Sequence, residues 1–98
     1  MRKIKSGTIK IGDYIYFVDK KQKNITYILK KTPDKNERGS IFEYWVLKNK
    51  SERMHLFEPE YKGGTTLMRE GSLDYYTIYR LNKKEVLEFK KILIINNL

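Results

Sequence analysis

The chain contains no cysteine, a single histidine, only two prolines and no alanine. Without cysteine there is no disulfide, no thiolate nucleophile, and no Cys-ligated zinc or iron–sulfur site. One histidine, His55 in "RMHLF", leaves a zinc site to carboxylates, which alone rarely hold zinc. It also leaves acid–base catalysis one candidate, with no nucleophile elbow in the sequence to accompany it. There is no G-x-x-x-x-G-K and no G-x-G-x-x-G phosphate motif, and Gly63-Gly64 reads as a turn. Long apolar runs are missing as well. Nothing approaches the roughly 18 residues of a transmembrane helix, and the basic start "MRKIKSGTIK" lacks the apolar stretch of a signal peptide. These absences predict a non-enzymatic protein with no cofactor and no metal, off the membrane and in the cytoplasm.

What remains is a 98-residue chain with material for one core, hence a single domain over 1–98. It is rich in Lys, Ile, Asn and Tyr, a bias that AT-rich coding also produces. The charge is unevenly placed. Residues 1–50 carry thirteen Lys and Arg against five acids, while residues 51–98 carry eight against seven. Codon bias acts on the whole gene and does not predict that split. A basic half points to a polyanionic partner.

Local patterns order the chain. Thr8–Ile11 is a short β-prone stretch, and Gly12-Asp13 a tight corner. Tyr14–Val18 and Ile25–Lys31 alternate and are joined by the polar loop "KKQK", which makes a hairpin. "TPDKNERGS" reads as a loop. "IFEYWVL" (Ile41–Leu47) is the strongest strand. "ERMHLFE" (Glu52–Glu58) reads as a short strand, "EPEYKGG" as a turn or loop, and "TTLMR" and Asp74–Leu81 as further strands. Asn82 with Glu85 three residues on resembles a capping box, so a helix is expected over about 83–95. The predicted fold is α+β: a strongly bent antiparallel sheet or small SH3-like open barrel of five or six strands, with a C-terminal helix packed on it.

Pairing Asp19 with Asn24 across a four-residue loop puts Tyr14, Tyr16, Tyr27 and Tyr44 on one face, together with Val18, Ile25, Leu29, Phe42 and Val46. Ile15, Phe17, Thr26, Ile28, Trp45 and Leu47 fall on the other. Buried tyrosines need partners for their hydroxyls, so a four-tyrosine face is expected to be half-wet, covered by the C-terminal helix or by a ligand. Flanked by Lys20, Lys21, Lys23, Lys30, Lys31, Lys48 and Lys50, it has the makings of a stacking platform for nucleic acid. The alternative is a protein-interaction module, an inhibitor or adaptor from a phage or other mobile element, with the tyrosines as anchors for an acidic protein. A homodimer through the same face is a third possibility.

Two stretches resemble known families. "IKIGDYIYFVD" (Ile9–Asp19) looks like the first strand and corner of SH3-like barrels, which implies a barrel. "DYIYFVDKKQKNITYILKKTPDKNER" resembles the start of the GIY-YIG nucleases, which implies motif roles for Tyr16, Tyr27 and Arg38 and metal binding by Glu85 or Glu88. Asp13-Tyr14 and Leu29 stand where the motif glycines belong, and a strand follows Arg38 where that family has a helix.

Overall fold

The computed structural model describes residues 1–19, 21, 25–48 and 59–97, with the backbone alone for Lys48 and for residues 59–62. The elements in chain order are β1 (Arg2–Ile4), a first 3-10 helix (Ser6–Thr8), β2 (Tyr14–Asp19), β3 (Ile25–Asn36), β4 (Gly39–Lys48) and β5 (Pro59–Met68). A second 3-10 helix (Glu70–Tyr75), β6 (Ile78–Arg80) and α1 (Lys83–Ile95) complete the elements of the described residues. The strands form one open six-stranded sheet in the order β1-β6-β2-β3-β4-β5, with antiparallel neighbours throughout. This is the expected α+β sheet with a C-terminal helix, in its open form. The expected short strand at Glu52–Glu58, including His55, lies outside the described residues.

The hairpin register differs from expectation by one residue. Asp19 pairs with Ile25, Phe17 with Tyr27 and Tyr16 with Ile28, so the loop between β2 and β3 has five residues. In a strand of period two, a one-residue slip moves every side chain of β3 to the other face relative to β2. β4 follows β3, with Trp45 opposite Ile28 and Tyr44 opposite Leu29. Tyr14 and Tyr16 therefore share a face with Ile28, Trp45 and Leu47. Tyr27 and Tyr44 lie with Ile15, Phe17, Leu29 and Phe42 on the other. The single four-tyrosine face is corrected to two tyrosines on each side. Each layer gains aliphatic and aromatic packing partners, and fewer hydroxyls compete for partners in one place.

Both faces are covered. On the first, Phe89 and Leu93 of α1 pack with Tyr14, Tyr16, Trp45 and Leu81. On the second, Leu73 of the second 3-10 helix and Ile9 after the first pack with Ile15, Phe17, Phe42 and Ile78. Asp74 ties the two 3-10 helices together, its carboxylate accepting from the Ser6 N–H at 3.2 Å and the Ser6 hydroxyl at 2.8 Å. Asp74 and Tyr75 are thereby held in the 3-10 helix, and β6 starts only at Ile78, four residues later than the strand pattern suggested.

Two further stretches depart from the sequence reading. Thr32–Asn36 continues β3 past a register break between Lys31 and Lys35, and a two-residue turn at Glu37-Arg38 leads into β4. Pro33 falls within the break, where its missing N–H costs no ladder bond. Pro59–Gly64 belongs to β5. Gly63 makes this possible by leaving room for a ring: a Cβ there would sit 1.6 Å from the Tyr44 ring.

The helix has the predicted bounds. The Asn82 side chain accepts from the Glu85 N–H at 2.9 Å, and Glu85 accepts from the Asn82 N–H at 3.0 Å. The N-terminal ammonium meets Glu85 at 3.1 Å. The corner at Gly12 (φ 88) is also as expected, with the Gly12 N–H donating to the Lys31 carbonyl at 2.8 Å. That bond fixes the start of β2 against β3 and brings Tyr14 beside Lys30. Thr8–Ile11, however, is a 3-10 end and a turn, so the barrel-like first strand is absent there.

Candidate nucleic-acid interface

The register decides what each tyrosine can touch. Tyr14 and Tyr16 are 6 % and 3 % exposed, beneath α1. Tyr14 stacks with Trp45 at 6.1 Å between centroids and meets Phe89 edge-on at 6.0 Å. Burial pushes the Tyr16 phenol up. On the opposite face Tyr27 stacks on Phe17 at 5.3 Å, and Tyr76 packs on the same ring at 4.7 Å. Burial, then the Asp19 charge, raises the Tyr27 phenol. Tyr44 lies over Gly63. Tyr14 and Tyr16 thus serve the core, and bases could not lie flat on them with α1 in place.

The lysines divide as well. Lys20, Lys23 and Lys50 lie outside the described residues, and Lys48 is described by its backbone at the end of β4. Lys21 is exposed in the hairpin loop, its N–H bonded to Asp19 at 3.0 Å. Lys31 is engaged: its ammonium pairs with Glu70 and donates to the Ile9 carbonyl at 3.2 Å. Ser40 also donates to Glu70, at 2.8 Å. Burial acts to raise the Glu70 carboxyl, but these bonds and the Lys31 and Lys35 charges outweigh it and hold it below its usual value.

Lys30 is different. It leaves β3 on the helix side and faces α1 across an open groove of about 520 Å³. The floor is Tyr14, Leu81, Val86 and Leu87, and the rim carries Lys30, Lys83 and Lys90. The Lys30 and Lys90 ammonium groups stand 5.6 and 5.9 Å from the Tyr14 ring centroid. Asp13, the acid at the groove's end, is taken by Arg80 at 3.0 Å and by the Lys10 N–H at 2.8 Å. Glu43 is the cross-strand neighbour of Lys30. Among the described residues, even so, no carboxylate reaches Lys30, Lys83 or Lys90 at ion-pair distance. A second groove, at the β3–β4 turn, mixes Lys35, Arg38 and Arg69 with Asp34, Glu37 and Glu70, so its charges largely cancel.

Sequence reasoning found Lys30 and missed Lys83, Lys90 and Leu87. A signal for them was present. Residues 83, 87, 90 and 94 are spaced to form one line along a helix, and here that line reads Lys, Leu, Lys, Ile. The nuclease-like residues are scattered. Tyr16 and Tyr27 lie on opposite faces of the sheet, Arg38 sits at the β3–β4 turn, and Glu85 is occupied by the helix cap. Among the described residues, no three His, Asp or Glu side chains gather where they could hold a metal ion. None of the described helices is long and apolar enough to cross a membrane. No protein-family model, curated protein or solved structure matches the chain.

Proposed function

We propose that this protein is a non-enzymatic binder of nucleic acid, and that its binding surface is centred on the groove between β3 and α1. The observation that carries the reading is the convergence of Lys30 and Lys90, sixty positions apart in sequence, on one ring, with no carboxylate among the described residues at ion-pair distance from either. Contact with the Tyr14 ring contributes only about 0.5–1 kcal/mol at an exposed site. A ring quadrupole also carries no net charge, so the positive field stays available to a ligand. Concave, positively lined surfaces of this kind attract polyanions and speed their arrival.

A second reading has its own observation. Tyr75 is 91 % exposed beside Tyr76, which packs on Phe17 on the sheet face opposite α1. Exposed tyrosines on a firm support are common anchors for a protein partner, which would make the chain an inhibitor or adaptor.

The test is a titration of nucleic acid at two or more salt concentrations, with Lys30, Lys83 and Lys90 changed together to Ala. Each lost phosphate contact removes about 0.9 from the slope of log K against log salt on duplex DNA, or about 0.7 on a single strand. The triple variant should therefore lose about 2–3 from the slope while melting as the parent does. If the parent binds no nucleic acid, or the triple variant binds like the parent, the proposal is wrong.

A further inference from the structure

We infer that the groove takes an unpaired nucleic-acid strand rather than a duplex, with bases laid on its apolar floor and phosphates on its lysine rim. The inference rests on the nucleic-acid reading above and adds the form of the ligand. Three features of the groove carry it.

First, the groove is narrow. Lys30 and Lys90 flank a single ring, so their ammonium groups are no farther apart than their two distances to that ring laid end to end. A single backbone with its bases fits between such rims.

Second, the floor is apolar. Tyr14 and Leu81 lie at its bottom, 6 % and 5 % exposed, so the surface open to a base is that of Val86 and Leu87, and Leu87 is 60 % exposed. A duplex keeps its bases inside and would press charged phosphate and sugar onto this floor, where desolvating charge costs free energy without a return. An unpaired strand can instead cover the floor with base faces while its phosphates reach the rim.

Third, the pattern continues along α1. Lys83, Leu87, Lys90 and Ile94 follow one line of the helix, and Ile94 is 76 % exposed. At 1.5 Å rise per residue, Lys83 and Lys90 stand about 10 Å apart along the axis. Cation and apolar side chain alternate there, as phosphate and base alternate along a strand. A second copy of the chain would bring lysine against lysine at this face, so charge disfavours self-association as its occupant.

The experiment uses the full chain with three probes at one salt concentration: a short single-stranded oligonucleotide, the same sequence as a duplex, and poly-glutamate. Poly-glutamate is a polyanion without bases and stands for an acidic protein partner. The single strand should bind at least about tenfold more tightly than either other probe. Leu87→Ser, at an exposed site, should weaken strand binding about five- to tenfold, equivalent to roughly 1–1.4 kcal/mol of lost apolar contact. It should leave the melting temperature and the weak poly-glutamate binding unchanged. Leu87→Trp should tighten strand binding by supplying a stacking ring. Equal affinity for strand and duplex overturns the inference and leaves the nucleic-acid reading intact. Preference for poly-glutamate overturns both in favour of a protein partner. A strand preference insensitive to both Leu87 variants shows that the strand lies elsewhere, which also overturns it.

Discussion

Phe89 is the residue on which the helix is hung, and Phe89→Ala is the most informative perturbation of the fold. The side chain is 0 % exposed. It meets Trp45 edge-on at 5.2 Å and Tyr14 at 6.0 Å, joining α1 to both β4 and β2. Truncating a buried Phe costs about 3–5 kcal/mol, because transfer free energy is lost and a cavity is left. The aromatic pairs, at about 0.5–1.5 kcal/mol each, place this site toward the upper end. A domain of this size has a total stability of roughly 5–15 kcal/mol. The variant should therefore lose about a fifth or more of it and melt roughly 12–40 °C lower, at about 4–8 °C per kcal/mol.

Urea unfolding followed by circular dichroism and by fluorescence is the assay. Trp45 is the sole tryptophan and sits at the helix–sheet contact, so its emission reports the junction itself. Leu87→Ala, on the exposed side of the same helix, should change stability by less than about 0.5 kcal/mol. A loss under about 1 kcal/mol for Phe89→Ala, or unchanged Trp45 emission in the folded variant, would refute the docking of α1 on the sheet.

Gly63→Ala should destabilise by about 1–3 kcal/mol, the range for forced overpacking, since the new Cβ would enter the space of the Tyr44 ring. In the background of Tyr44→Ala the same change should cost much less, and equal costs in both backgrounds would disprove the contact. Glu70 should shape the acid limb of stability. Its folded-state carboxyl titrates below the usual value of 4.5, so its contribution is complete above that value and is lost as the pH falls through the lowered one. Glu70→Gln should lower stability at neutral pH and flatten the decline between pH 5 and 3, and an acid limb as steep as the parent's would contradict the pairing with Lys31 and Ser40.

Elements specified by neighbouring residues were legible in the sequence alone. The helix carries its own start signal in Asn82 and Glu85 and spans the predicted 83–95, but of the apolar side its sequence suggests, Val86, Leu87, Phe89, Leu93 and Ile94, only Phe89 and Leu93 are buried, while Leu87 and Ile94 stay exposed. The central strands were equally plain, because Tyr14–Val18 and Ile41–Leu47 are dense in aromatic and β-branched residues. The open sheet with a helix on one face follows from these pieces.

Tertiary structure decided what depends on partners distant in sequence. Loops of four and five residues are both sound ways to close β2 onto β3, and nothing within the loop tells which is used. The choice is made by the fit of Tyr14 and Tyr16 with Ile28, Trp45 and Phe89, contributed by three other elements. That one-residue choice divides the tyrosines between two faces. Asp74 reads as strand until Ser6, 68 positions away, binds its carboxylate. Lys30 is one lysine among sixteen until α1 folds back and sets Lys90 across the Tyr14 ring from it. Periodicity tells which residues lie side by side on one element. The fields and grooves from which a binding site is made arise between elements, and their geometry is fixed only when the core closes.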